Sequence, residues 1–370
     1  MKKRTHINTV DTAVGLHKYR TVLNTALRVF FRDAVGVALT RPRQAIFFIR
    51  TVFWQRRAAR IRLQWARNGV QVPAIIIFSI TTKCNLNCKY CYAQALHPPS
   101  DREMSAEKIR SIIGEAHGLG ISFFVVAGGE PFLRPELLDI VAEFPKTLFL
   151  VFTNGLLIDD SVVLRLKKLR NVIPLVSLEG LEDETDNRRG DGVHTRLVRI
   201  IYTLKQNGIF FGTSLTITRL TFDTLTDPRF IGKLIETGCR FFLFVEYTPV
   251  QEGTQDMVLT ALQRERLLKI METYHRRRQA LFISVPGAEE SVGGCLAAGR
   301  GFVHLTAEGD IEPCPFVPFS DTNVRDLALK DALRSDLLKE LRAHPEMLEV
   351  TEGGCCLWKK RDWVRTLIPE

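Results

Sequence analysis

Cys84, Cys88 and Cys91 stand in the run Thr82-Lys83-Cys84-Asn85-Leu86-Asn87-Cys88-Lys89-Tyr90-Cys91-Tyr92, a C-x3-C-x2-C spacing on one short stretch. Three thiolates so placed can hold three irons of a [4Fe–4S] cube and leave the fourth iron open to a small chelating molecule. A ferredoxin instead supplies four cysteines per cluster, which closes it for electron transfer. Structural zinc takes four ligands, and no histidine lies in this stretch. The apolar run Ala74–Thr81 just before it reads as a strand buried on both faces, and α/β folds place their sites at the ends of such strands.

A second motif follows one strand later. Ile121–Ala127 reads as a strand and ends in Gly128-Gly129-Glu130-Pro131, where two glycines let a backbone edge approach a ligand closely. Thr153-Asn154-Gly155 follows the third strand, and Ser177-Leu178-Glu179-Gly180 the fourth. The cysteine stretch, with the aromatic Tyr90 before its last cysteine, and the Gly-Gly-Glu-Pro turn together resemble the radical S-adenosylmethionine (radical SAM) superfamily. The resemblance covers residues 74–180 most strongly.

That resemblance implies a cluster on Cys84, Cys88 and Cys91. It implies S-adenosylmethionine beside Tyr90, its methionyl amino group on the edge formed by Gly128, Gly129, Glu130 and Pro131. Asn154, Ser177 and Glu179 fall at cofactor positions, the last two facing its ribose and amino-acid portions. Glu179 departs from the family's S-L-D-G, and Asn154 also reads as a turn residue. Arg188-Arg189-Gly190 with Gly192 resembles a stretch of peptide-modifying relatives and reads equally as a solvated loop. The implied chemistry is reduction by a flavodoxin- or ferredoxin-type donor, cleavage of S-adenosylmethionine to a 5′-deoxyadenosyl radical, and hydrogen abstraction from a substrate.

A third group of cysteines lies near the C-terminus: Cys295, Cys314, and the adjacent Cys355 and Cys356. With Gly293-Gly294, Pro313-Cys314-Pro315 and Gly353-Gly354 around them, they resemble the auxiliary-cluster extension called SPASM, or its shorter form, twitch. A full SPASM region has about seven cysteines, so the resemblance implies at most one further [4Fe–4S] cluster, on Cys295, Cys314 and Cys355 with Cys356 as the alternative. Cys239 reads as a core residue, and none of the eight histidines falls in a ligand-like pair.

The elements that must position these residues alternate. After the first strand, helix 105–117, strand 121–127, helix 134–144, strand 147–152, helix 159–169, strand 172–178, helix 194–206, strand 209–217, helix 228–237 and strand 241–247 follow in order, and a helix over 260–279 ends the series. Six βα units imply a parallel sheet, and the family resemblance implies a partial (βα)6 barrel over 71–285. Phe302–Thr306 and Asp310–Pro313 flank Ala307-Glu308-Gly309 as a hairpin inside an α+β segment, 286–370. Residues 20–70 read as helical, with a break at Pro42.

Composition bounds the rest. The chain has 370 residues, 45% hydrophobic, enough for a large core. Eight locally clustered cysteines in a long chain indicate a reducing cytoplasm rather than a disulfide scaffold. The Met-Lys-Lys-Arg start is followed by no secretory apolar segment. The net charge of +10 is uneven, since residues 1–70 hold 15 Lys/Arg against Asp11 and Asp33. In that segment Trp54, Ala58, Ile61 and Trp65 share one helical face, with Arg56, Arg60 and Arg67 opposite. This suggests an anionic partner, which could be the inner face of a membrane, nucleic acid or an acidic protein, with no specific nucleic acid predicted. The substrate stays open: a ribosomal peptide, a small-molecule precursor or, at a membrane surface, a lipid. A non-catalytic iron–sulfur carrier or zinc protein would not need the glycine edge.

Overall fold

The computed structural model describes residues 9–277, 279–286, 294–349 and 355–368, with side chains from residue 22 onward. Gly293, Gly353 and Gly354 lie outside the described residues.

Two helices come first, α1 (Thr9–Val37) and α2 (Pro42–Arg67). Pro42 opens α2, where its missing N–H leaves no extra donor unpaired. Seven parallel strands follow, each beside the last: β1 (Ile75–Thr81), β2 (Phe123–Gly128), β3 (Leu148–Thr153), β4 (Val172–Leu178), β5 (Gly212–Ile217), β6 (Phe241–Glu246) and β7 (Leu281–Val285). The six expected βα units are present. β7 is an addition to that expectation: its five residues follow directly on the long helix Ala261–Arg277 and carry no turn signal of their own.

The C-terminal hairpin belongs to the same sheet. β8 (Phe302–Leu305) runs parallel to β1, with Ile75 opposite Phe302 and Phe78 opposite Leu305, and β9 (Ile311–Glu312) returns antiparallel. Gly309 turns the hairpin at φ +100°, a conformation open to glycine and costly for other residues.

Alternation along each strand sorts side chains between two cores. The outer core lies between the sheet and its covering helices and contains Phe78, Ile112, Phe124, Val151 and Leu197. The inner core is the floor of the barrel. It takes residues at or beside the start of each strand, including Ala74, Phe123, Leu148, Ile173, Phe210, Phe241 and Leu281, and closes them with Leu27, Phe31 and Phe48 of the two N-terminal helices. Phe30 lies 5.7 Å from Phe241, and Phe48 meets Phe210 edge-on at 5.3 Å. Each aromatic so buried contributes about 1.5–3 kcal/mol.

The N-terminal segment is thus a plug in the barrel. Ala58 is buried and Trp54 and Trp65 are half-buried against the two cores, so this stripe packs inward. Arg56, Arg60 and Arg67 are exposed, as the helical spacing predicts. Arg62 is buried. It donates to the Gly120 carbonyl (2.6 Å) and to Asn24 Oδ1 (2.7 Å), and burial lowers its pKa to about 10. Among the described residues no helix is long and apolar enough to cross a membrane.

Candidate active site

The cysteine loop leaves the C-terminal end of β1 and runs into the short helix Tyr92–Leu96. All three thiols are half-buried. Cys84 and Cys88 each lie near enough to Cys91, and Cys88 to Cys84, to be raised in pKa by the neighbour's negative charge. Burial is the larger cause in both. Three crowded thiolates of this kind are favoured by a cation among them. Tyr90 turns the loop at φ +59°.

The strand ends beside the loop grip it. Asn154 donates through Nδ2 to Asn85 Oδ1 (2.7 Å) and to Cys84 Sγ (3.8 Å), and its Oδ1 accepts from Leu156 N (3.0 Å). Glu103, which carries no signal in the sequence, accepts from the Thr82 backbone N–H (2.8 Å), the Thr81 hydroxyl (2.9 Å) and the Thr82 hydroxyl (2.9 Å). Arg134 bonds to the other oxygen of Glu103.

The Gly-Gly-Glu edge sits directly on the loop. Gly129 N–H donates to the Thr81 carbonyl (2.7 Å) and Glu130 N–H to the Lys83 carbonyl (2.9 Å). A Cβ on Gly128 would strike the Thr81 carbonyl oxygen, and one on Gly129 the Lys83 carbonyl oxygen. The close approach that needs these glycines is therefore first to the cysteine loop's own backbone. Glu130 is buried and accepts from Asn154 N (2.7 Å), Thr153 Oγ1 (2.8 Å) and Phe132 N (3.1 Å), tying the ends of β2 and β3. Burial raises its pKa. Pro131 begins the turn that follows and is buried.

Ser177 and Glu179 share the inward face of β4 with Ile173 and Leu175, as their spacing requires. Ser177 Oγ lies 3.0 Å from Ser214 Oγ of β5. Glu179 is buried, and its carboxylate is held by Arg188 (2.5 Å) and by Arg189 Nε (2.9 Å) and Nη2 (2.5 Å). The arginine pair is thus part of the site rather than a solvated loop. Arg189 is raised in pKa: Glu179 and then Cys88 favour its charged form and outweigh burial. The helix Glu182–Arg189 is also stitched to the loop, Lys89 N donating to Arg188 O (2.8 Å).

The C-terminal cysteines are all buried. Cys295 hydrogen-bonds to Cys356, which lowers the Cys356 pKa. The adjacent Cys355 caps the short helix Cys356–Lys359. Burial raises the pKa of the Tyr92 hydroxyl, and Cys91 and then Cys314, which follows β9, lie close enough to add to the shift, so both cysteine groups flank one residue. Phe316 packs on its ring at 4.9 Å. Cys239 is buried at the start of β6, in the core.

One cluster escaped the sequence reading. His97, His304 and Glu312 place ligand-type atoms within 4.8 Å of one another, from three separate segments. His304 Nδ1 lies 2.6 Å from Glu312 Oε2 and Nε2 lies 2.8 Å from Ser79 Oγ, while His97 Nε2 meets the Pro315 carbonyl at 3.1 Å. Both His304 nitrogens are engaged, so the group closes as a hydrogen-bonded clasp between β1, the β8–β9 hairpin and the Cys314 turn. The histidines are about 207 positions apart in the chain, and no local spacing could have linked them.

The three-thiol loop, a donor on Cys84 Sγ and a backbone edge against the loop fit an iron–sulfur cluster with an open iron. Comparison with known proteins agrees. Residues 78–234 match the family model of the Radical SAM superfamily. The chain is 26% identical over 317 residues to the AdoMet-dependent heme synthase of Methanosarcina barkeri, covering 78% of this chain and 89% of that protein. It is 24% identical over 303 residues to the mycofactocin maturase MftC of Mycolicibacterium smegmatis, covering 78% and 76%. Streptococcus suis SuiB, solved bound to its precursor peptide SuiA, shares the fold with a TM-score of 0.64 at 19% identity, over 78% of this chain and 70% of that one. Residues 78–234, which carry the cysteine loop and its glycine edge, are thus a domain of the Radical SAM superfamily, and the chain is similar over about three quarters of its length to enzymes of that class.

Proposed function

We propose that Cys84, Cys88 and Cys91 hold a [4Fe–4S] cluster and that S-adenosylmethionine binds its open iron along the Gly128–Pro131 edge. The observation that carries this is the seating of that edge on the loop, Gly129 on Thr81 and Glu130 on Lys83. When bound, the pair supplies reductive cleavage of S-adenosylmethionine and a radical that takes a hydrogen atom from substrate. The chain's residues set the conditions for that chemistry. Asn154 and Glu103 hold the loop, Glu179 fixes Arg189 beside Cys88, and the plugged floor leaves the barrel to be entered from the strands' C-terminal ends. A one-electron donor of flavodoxin or ferredoxin type is the expected partner. Residues 71–285 form the barrel unit, and 286–370 an auxiliary unit in which Cys295, Cys314 and Cys356 or Cys355 hold a second cluster.

For the substrate we favour a small-molecule precursor of the tetrapyrrole class. The heme synthase relative supports this, since the match spans 89% of its length. A ribosomal peptide is the second reading, supported by the maturase relative. Anaerobically reconstituted protein should form more 5′-deoxyadenosine with iron-coproporphyrin III than without it. No increase with any propionate-bearing tetrapyrrole would remove the first reading and leave the peptide.

A further inference from the structure

The floor of the barrel carries a surface that the chemistry at its mouth does not use. α2 holds seven arginines and no acidic residue. Arg62 is buried, and Arg43, Arg50, Arg56, Arg57, Arg60 and Arg67 are exposed. On the same outward face stand Ile46, Ile49 and Phe53, exposed by 50%, 45% and 60%. The buried face, with Gln44, Phe48, Thr51, Gln55 and Ala58, is opposite. The outward face is therefore apolar in its first half and basic throughout.

Beside it a groove of about 460 Å³ runs between α1 and α2. Leu23, Leu27, Arg28, Arg56, Arg60 and Leu63 are among its walls, and among the described residues no acidic one lines it. Gln55 also lines this groove; it is 4% exposed and its Nε2 has no hydrogen-bond partner. An apolar groove with guanidinium groups and a spare amide donor is suited to an amphiphile with an anionic head.

We propose that this face docks the enzyme on an anionic phospholipid bilayer, with Ile46, Ile49 and Phe53 entering the acyl boundary and the arginine-lined groove receiving headgroup phosphate. Charge decides among occupants. A second copy would set one arginine row against another, and the chain's own Lys2, Lys3 and Arg4 would be repelled likewise. Nucleic acid would satisfy the arginines but leave the isoleucines and Phe53 without a role. The placement also has a consequence. The cysteine loop lies at the C-terminal ends of the strands and α2 at their starts, so the mouth points away from the bilayer. The lipid is then an anchor and not the substrate.

The test uses the full-length, cluster-loaded protein and vesicles of phosphatidylcholine with about one third phosphatidylglycerol. The protein should co-sediment with them, not with pure phosphatidylcholine, and should be released by high salt. Ile46→Ser with Phe53→Ser should weaken binding by about tenfold or more, while 5′-deoxyadenosine formation is unchanged. Arg56→Gln with Arg60→Gln should do the same if the first variant folds poorly. Absence of co-sedimentation at low salt overturns the proposal. So does binding that falls with salt but ignores Ile46 and Phe53, and so does equal retention of both variants on RNA that strips the protein from vesicles.

Discussion

The two cysteine groups are built in opposite ways. Cys84, Cys88 and Cys91 lie within eight residues on one half-exposed loop, and the sheet around them only steadies a pattern already local. Cys295, Cys314 and Cys356 come from three segments and are buried; Cys295 and Cys356 touch across about 60 residues, and Cys314 is placed by the β8–β9 hairpin, which pairs with β1. A local group tolerates distant change and fails when its loop backbone moves. A non-local group depends on every element that closes it.

The largest effect expected from this contrast is at the first group. Changing Cys84, Cys88 and Cys91 together to Ala should abolish 5′-deoxyadenosine formation under dithionite. About four irons per chain should stay in that variant, held by the second group. Undiminished product formation would break the assignment of the first site, and near-zero iron in a folded variant would break the assignment of the second.

Next comes the backbone. Gly129→Ala sets a methyl against the Lys83 carbonyl, which must move and take the loop with it. We expect product formation to fall by roughly 100-fold, the order at which small misplacements of a site are felt. Gly232→Ala is the control, since a Cβ there meets nothing within 4 Å and the residue is on the distant helix Pro228–Glu236. Equal losses in the two variants would mean that the glycine edge has no special hold on the loop.

The second group sharpens the comparison with a smaller effect. Cys356 is the thiol hydrogen-bonded to Cys295. Cys356→Ser should therefore lower iron in the triad variant more than Cys355→Ser. The reverse order would return the ligand role to Cys355, the residue the sequence resemblance favours.

What could be read beforehand follows the same division. The C-x3-C-x2-C loop, the Gly-Gly-Glu turn and the six βα units are short-range patterns, and each is found in place. Glu103, the grip of Asn154 on Cys84 and the Arg189–Glu179 pair depend on which strand ends become neighbours, and residue types alone do not say that. The His97–His304–Glu312 clasp needs β8 beside β1, a pairing across more than 200 residues. The Trp54 stripe was readable as amphipathic, and its packing on the rest of the protein follows from that, but the surface it covers was not readable: that depends on which strand starts the two N-terminal helices close.

The smallest expected effect concerns how the second group is closed. His344 caps the helix Asp336–Ala343, with Nε2 3.2 Å from Glu340 and Nδ1 3.0 Å from Glu346. The next residues, Pro345–Leu348, bring the Leu348 carbonyl to Cys295 N–H at 2.9 Å. Burial alone would lower the His344 pKa, but the bonds to Glu346 and Glu340 outweigh it and leave the imidazole raised. A raised pKa means that the folded chain holds this proton more tightly than the unfolded chain. The stabilisation is therefore complete below the ordinary histidine value near 6.5 and fades as pH rises through the folded value. The side chain is 30% exposed, so screening keeps the effect to a few tenths of a kcal/mol, on the order of other surface pairs. Thermal unfolding of wild type should show a slight loss of stability from pH 6 to 8 that His344→Gln lacks, and the protection of Cys295 N–H, taken relative to the intrinsic base-catalysed exchange rate, should fall over the same range in wild type only. A slope of opposite sign, or one shared by both proteins, would remove His344 from the closure of the second cysteine group and leave β8 pairing as its main support.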